Sequence, residues 1–381
     1  MTSSAPYTVK VITNIHAIDA DSWDALSDDN PFIQYGFLSA LADSHSVGEG
    51  TGWSCYFIVV LDVASQLVGA LPLYLKTHSY GEYVFDWSWA EAYARHGIPY
   101  YPKLVSAIPF TPVTCTKLLT HMPEISRLLV SSIESILAQH QLSSAHVLFP
   151  SETCGDYFAA SGWLKRDGVQ FRWQNKRYTQ WDDFLATLSH DKRKKIRQER
   201  KKLVDAGIQC KWLMGKDITE KDWDFFYACY CNTYAVHHST PYLTREFFSQ
   251  IGQSMPQHIL LMMAEIDGHP VAAALNIYNQ TTLYGRYWGA LQYVPNLHFE
   301  LCYYQAQMFC IANNITYFEG GAQGEHKLAR GFEPRATCSY HRIAHPEFSA
   351  AIETFIQLES GHMSAYTTEL EERVPFKKSE K

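Results

Sequence analysis

The 381-residue chain has nine cysteines, an odd number, and no C-x-x-C pair among them. Cys229 and Cys231 stand close together, and the others lie scattered among apolar neighbours. Neither a disulfide framework nor a thiolate metal site is expected, only reduced and mostly buried thiols. Long apolar runs are also missing. The most apolar stretch, ILLMMA at 259–264, is far too short to span a bilayer. The opening MTSSAPYTVKV has neither the basic nor the apolar region of a signal peptide, so a cytoplasmic protein is expected. No Gly-x-Ser-x-Gly elbow, Walker loop or Rossmann fingerprint occurs, which leaves hydrolase, nucleotidase and dehydrogenase chemistry without local support.

What is present is apolar and aromatic. With 46% apolar and 14% aromatic residues the chain can bury sizeable cores, and its length suits two domains rather than one. A net charge of −7 argues against wholesale binding to nucleic acid or membrane, but leaves room for a local basic patch.

The chain repeats itself. FPSETCGDYFAASGW at 149–163 aligns with FEGGAQGEHKLARGF at 318–332. At a constant offset of 169, Phe149, Gly155, Ala160, Gly162 and Arg166 meet identical residues at Phe318, Gly324, Ala329, Gly331 and Arg335. Upstream, 53–74 and 258–278 each read as strand, polar turn and strand, the second with Asp267-Gly268 at its turn, a hairpin signal. Two copies follow, with domains expected at 1–177 and 178–381.

The copies are unequal. Val68 to Val271 spans 203 residues but Phe149 to Phe318 only 169, so the first copy holds 34 more. They fall around 76–103, a stretch rich in Tyr, Trp and acids. Tyr83, Asp86 and Trp87 in it are candidates for substrate contacts; aromatic packing between the copies is the alternative. The second copy opens with a helix expected over 185–207, capped by Ser189 and ended by Gly207. Eight basic residues crowd between Lys192 and Lys202. This is either a solvated face or a phosphate site through Lys194, Lys195 and Arg197.

The tandem arrangement, the basic helix and the block LHFELCYYQAQMF at 297–309 with 318–332 resemble the FemAB-like family, a branch of the GNAT superfamily of N-acyltransferases. The resemblance covers nearly the whole chain. It implies an α/β fold of two tandem GNAT-like domains, each a mostly antiparallel mixed sheet flanked by helices. It further implies transfer of an acyl or aminoacyl group to an amine on a peptide, cell-wall precursor or small molecule. The donor would be aminoacyl-tRNA or acyl-CoA, with no tightly bound cofactor. A non-catalytic binding protein on the same fold is the rival. A narrower likeness is to leucyl/phenylalanyl-tRNA–protein transferases, whose catalytic acid, Glu-His pair and Gly match Glu319, Glu325-His326 and Gly331 in spacing. Acetyl-CoA enzymes of the superfamily use a glycine-containing phosphate turn, and the matching stretch, HFELCY at 298–303, has no glycine. Bulky residues there obstruct close approach of phosphates to the backbone, which favours aminoacyl-tRNA.

Acyl transfer to an amine needs a base, an oxyanion donor and a proton for the leaving group. The resemblance puts the oxyanion site on the central strand around 283–291. Arg286 there is expected to be catalytic or to sit in a buried ion pair, with Trp288 beside it toward substrate. Glu319, ending the next strand before Gly320-Gly321, is the expected base, its pKa raised by partial burial; the alternative is a structural partner for Arg286. Of His298 and Glu300, which do not share a helix face, Glu300 is the expected catalytic group and His298 a substrate contact. Gln323, His326 and Lys327 are expected at the cleft mouth. No third ligand accompanies His298 and Glu300, so no metal is expected.

Overall fold

The computed structural model describes residues 7–321 and 324–377, the side chain of Glu325 excepted. Its contacts divide into two units, Met1–Gly168 with Thr337–Ser364, and Val169–Ala336 with Ala365–Lys381. The first contains β1 (Tyr7–Ile12), α1 (Ala20–Asp24), α2 (Tyr35–Asp43), β2 (Trp53–Cys55), β3 (Phe57–Asp62), β4 (Leu67–Leu71), β5 (Tyr74–Lys76), α3 (Trp87–Arg95), β6 (Lys103–Ser106), α4 (Pro123–Gln139), β7 (Ser144–Leu148) and α5 (Glu152–Ala160). β8 (Leu164–Gln174) leads into the second unit. There follow α6 (Trp181–Thr187), α7 (His190–Asp205), β9 (Ile208–Met214), α8 (Glu220–Val236), α9 (Arg245–Ser254), β10 (Ile259–Ile266), β11 (His269–Tyr278), β12 (Thr282–Ala290), α10 (Leu297–Phe299), a π-helical stretch (Glu300–Gln305), α11 (Ala306–Ala312) and β13 (Tyr317–Glu319). β14 (Glu333–Ile343) and α12 (Pro346–Glu372) close the chain.

In the first unit, β1, β3 and β4 form a small antiparallel sheet. Its second sheet runs β2, β5, β6, β7, antiparallel but for the β6–β7 pair, and Ser339–Ile343 of β14 adds antiparallel to β7. α4 explains itself by pattern. Ile125, Leu129, Ile133 and Leu137 recur every fourth residue and join Ile58, Val60 and Leu71 in one apolar core. In the second unit, β9, β10, β11 and β12 are antiparallel neighbours, β13 joins β12 parallel, and β8 joins β13 antiparallel. Asp267 and Gly268 take φ of 51° and 77°, the left-handed pair that a tight β10–β11 hairpin needs. Both units are thus mostly antiparallel mixed sheets flanked by helices, the α/β class expected.

The boundary differs from the contiguous 1–177 and 178–381 division. Each unit takes its last strand from the other copy's sequence, since β14 residues complete the sheet of β7 and β8 residues complete the sheet of β13. Sequence repetition reports the copies, whereas compactness follows strand pairing. The basic helix also starts later than the 185–207 reading: α6 ends at Thr187, and Ser189 precedes α7.

Candidate active site

Pairing between β12 and β13 covers only Thr282–Tyr284 against Tyr317–Glu319. β12 then runs on to Ala290 while β13 stops, so the two parallel neighbours part. A bulge at Leu275/Asn276 of β11 interrupts the register beside this point. α8 supports the departing arm: Asn232 and Thr233 donate to the carbonyls of Ala290 and Trp288, both at 2.8 Å. Gly289 is required for that approach, because a Cβ there would lie 2.0 Å from the Cys229 carbonyl oxygen.

The parting leaves a cavity of about 270 Å³. Gly285 to Trp288 form one wall, His298, Cys302 and Tyr303 of the adjoining helix another, and Phe318, Gly320, His326 and Lys327 a third. Lys327 is only 5% exposed and donates to the Gly321 carbonyl at 3.2 Å. Burial pushes its pKa down to about 8. Burial, then the charges of His326, Arg330 and Lys327, hold His298 down at about 4, so that ring is neutral near pH 7. His326 is lowered in the same way, and its Nε2 lies 2.8 Å from the Tyr303 hydroxyl. Arg286 extends beside the Tyr287 ring, 5.0 Å from its centroid. The Trp288 ring meets His298 edge-on at 5.2 Å.

Arg286, Trp288, His298, His326 and Lys327, named from sequence, therefore share one cavity. Glu319 does not line it. Phe318 faces the cavity, so strand alternation turns Glu319 to the opposite side, where Arg172, its register partner, donates to it at 2.6 Å. Glu300 is turned away as well. It is 4% exposed and takes two hydrogen bonds from Arg200 at 3.0 Å and one from Gln305 at 2.8 Å. A buried carboxylate needs such partners, and the basic helix supplies one. Gln323 lies outside the described residues. Tyr303, Cys302 and Asn276 escaped the sequence reading; Tyr303 falls five residues after His298, but a π-helical turn that brings it to the same cavity has no sequence period of its own.

Tyr83, Asp86 and Trp87 belong to the first unit. Asp86 is no substrate contact: it is buried, accepting from Lys103 and, at 2.6 Å, from Tyr100. Lys103 also donates to Glu82 at 2.9 Å. Lys76 pairs with Lys103 across β5 and β6, and His146 with His341 across β7 and β14. All four are buried; Glu82 and Asp86 of the 76–103 insertion are the counter-charges of the two lysines, while burial holds the two histidines neutral. Trp87 stays exposed, with the Tyr80 ring 4.9 Å away. The first unit's own parallel pair leads into a filled cleft. Beyond β6 and β7, Cys115 N–H donates to the Phe149 carbonyl at 3.2 Å, Ser151 N–H to that of Cys115 at 2.9 Å, and buried Lys117 to that of Phe149 at 3.1 Å.

On α7, Ile196, Glu199 and Leu203 face inward. Glu199 meets Arg330 at 3.3 Å and accepts a hydrogen bond from the Tyr304 hydroxyl. Lys194, Lys195 and Arg197 are left exposed, Arg197 reaching Asp182 at 3.1 Å. Among the described residues no cluster of three His, Cys, Asp or Glu could hold a metal ion, and no helix is long and apolar enough to cross a membrane.

Several solved structures share the fold. FemX matches at TM-score 0.54 and 11% identity, over 88% of this chain and 98% of its own. The C-terminal domain of a putative lysylphosphatidylglycerol synthetase from Agrobacterium fabrum matches at 0.52 and 9%, over 89% and 96%. L-PGS from Bacillus licheniformis matches at 0.51 and 9%, over 86% and 96%. No curated protein matches by sequence. The family model described by peptidoglycan biosynthesis/recognition matches residues 14–378, nearly the entire length, and the chain belongs to the FemAB-like family.

Proposed function

We propose that the second unit transfers an acyl or aminoacyl group from an ester or thioester donor to an amine, on a peptidoglycan precursor or related peptide. The carrying observation is the cavity at the β12–β13 parting with Lys327 and Arg286 in its walls. Membership of the FemAB-like family supports the same class of reaction.

The acceptor nitrogen attacks the donor carbonyl, a C–N bond forms, and negative charge collects on the carbonyl oxygen. Arg286 is the side chain for that charge. Lys327, near 8, takes the proton that the attacking amine gives up; about a tenth of it is already neutral at pH 7, far more than of an ordinary lysine. Collapse breaks the C–O or C–S bond and the leaving atom receives the Tyr303 proton, with His326 hydrogen-bonded to the Tyr303 oxygen; the proton that Lys327 took from the amine then returns to that oxygen and closes the balance. Glu319 and Glu300 have no part in this scheme, since both are committed to arginines.

For the donor we favour aminoacyl-tRNA. The stretch 298–303 forms the opening turns of a helix whose Glu300 binds Arg200, a poor seat for the pyrophosphate of CoA. Lys194, Lys195 and Arg197 on α7 are the proposed tRNA contacts. Nine free thiols suit a reducing compartment, and a cytoplasmic site of action accords with that donor. The test is transfer itself. Purified protein is offered charged tRNA or acyl-CoA with a peptidoglycan-precursor peptide, alongside Lys327→Met. Product from charged tRNA, lost in the variant, supports the reading; no product from either donor overturns it.

A further inference from the structure

A second cavity in the same unit takes no part in the transfer scheme. It measures about 500 Å³ and lies between α6, α7, β9 and the π-helical stretch, within the size range of small-ligand sites. Three kinds of group meet in its walls. Trp181 supplies a ring, with the Arg200 guanidinium 5.6 Å from its centroid; its buried Nε1 has no hydrogen-bond partner among the described residues. Glu300 and Gln305, joined at 2.8 Å, supply a polar edge whose oxygens keep acceptor capacity beyond their bonds from Arg200 and Trp212. Arg197 and Lys201, one helical turn apart on α7, supply positive charge.

The pairing of these cations is weak. Arg197 reaches Asp182 at 3.1 Å and Lys201 reaches Asp205 at 2.9 Å, all four side chains being more than half exposed. Such surface pairs contribute little and are easily exchanged for another anion. Val204, 71% exposed, also lines the cavity. Helix packing does not call for it, because Ile196 and Leu203 already form the buried stripe.

A flat face, a hydrogen-bonding edge and adjacent cations over apolar surface are what a nucleobase carrying its phosphate requires. We propose that this cavity binds a nucleotide unit. The base lies against Trp181 and Arg200 with its edge toward Glu300 and Gln305, and the phosphate lies between Arg197 and Lys201. The unit is either a free nucleotide or one residue of an RNA strand. Only in the second case does the proposal rest on the tRNA-donor reading above.

The experiment is calorimetric titration of the full chain with adenosine monophosphate, cytidine monophosphate, inorganic phosphate and a short single-stranded RNA. At least one mononucleotide is expected to bind about tenfold more tightly than phosphate, since stacking adds about 1–3 kcal/mol per base. The double variant Arg197→Glu, Lys201→Glu and the single variant Val204→Asp are expected to weaken it about tenfold. Lys202→Glu with Lys216→Glu, an equal charge change outside the cavity, should alter affinity less than about twofold because of screening. RNA binding well above the mononucleotide assigns the site to a strand; equal binding assigns it to a free nucleotide. Phosphate binding as tightly as nucleotide, equal weakening by both charge reversals, or no nucleotide binding at about 5 mM overturns the proposal. The readout is binding, so Lys327→Met, expected to abolish transfer, should leave it unchanged. A failed transfer reaction and a failed nucleotide site are therefore distinguishable.

Discussion

Arg172 and Glu319 face each other across β8 and β13, the guanidinium donating to the carboxylate at 2.6 Å and stacking 4.6 Å from the Tyr317 ring centroid. The acid that sequence position recommends as a base is thus held on the far side of its strand. Burial still raises its pKa, and Arg172 and Arg335 offset that only in part. Glu319→Gln is expected to keep transfer within about tenfold while costing about 1–2 kcal/mol of stability through the weakened bond to Arg172. The sign with pH follows from the raised value. The folded chain keeps this proton to higher pH than the unfolded chain, so this group's contribution to stability falls as pH rises from 4.5 through the folded pKa. Urea titrations should show that slope vanish in the variant. A thousandfold loss of turnover would restore Glu319 as the base.

Lys327 predicts the opposite kind of result. With a pKa near 8, its neutral fraction, and with it kcat/KM, should rise about tenfold per pH unit below 8 and level off above. Lys327→Met should lose at least about a hundredfold and flatten this limb. Repeating the profile with an acceptor amine of different basicity separates Lys327 from the substrate, because only the enzyme's limb stays in place. The folded pKa lies below the ordinary lysine value of 10.5. Stability should therefore rise with pH between the two values in the parent and not in the variant.

Gly289 tests the support of the cavity rather than its chemistry. An alanine Cβ would press to 2.0 Å from the Cys229 oxygen and 2.3 Å from its carbonyl carbon, and backbone cannot give way as a flexible side chain can. Gly289→Ala should cost about 1–3 kcal/mol. It should also disturb the Asn232 and Thr233 bonds that hold the β12 arm. Turnover should drop more than thermal denaturation alone explains at a temperature where the variant remains folded.

The buried charges of the first unit make a prediction about pairing. Lys103→Met leaves Glu82 and Asp86 without their shared ammonium and should cost about 3–5 kcal/mol. Adding Glu82→Gln and Asp86→Asn to it should recover about half of that or more, since it removes the two uncompensated carboxylates and leaves only Lys76, whose burial already favours its neutral form. Burial, ahead of the charges around each, moves Lys76 down and Glu82 up, each to about 7. The insertion should therefore be held together differently on either side of neutrality, which hydrogen exchange across 76–103 can follow. No recovery in the triple variant would show that packing, not charge, dominates there.

These residues also mark how far the sequence could be read. The repeated blocks and the Asp267-Gly268 hairpin each show within a short stretch of sequence, and the structure carries both. The cavity set was legible in part, because Arg286 and Trp288 lie on β12 itself and His298, His326 and Lys327 lie in the motif blocks that follow it. Which way Glu319 points depends on one register pair with Arg172, 147 residues away, and no local pattern encodes it. The same holds for Asp86, whose burial follows from Lys103 on the neighbouring strand. The exchange of last strands is likewise a matter of long-range pairing, so contiguous boundaries read from the repeat could not include it.

α7 carries the last prediction, which concerns the donor. Lys194, Lys195 and Arg197 are exposed while Ile196, Glu199 and Leu203 anchor the helix, so charge reversal at the three should leave the fold intact. If they contact phosphates of tRNA, each lost contact removes released counterions. The plot of log affinity against log salt should then become shallower by about 2–3 for the triple variant. The loss should be largest at low salt and shrink as salt screens the remaining attraction. Acyl-CoA transfer should be unaffected by reversal at Lys194 and Lys195 alone, because a single small donor does not need an extended basic face. Equal tRNA affinity and equal salt slope in variant and parent would leave the basic run as a solvated surface.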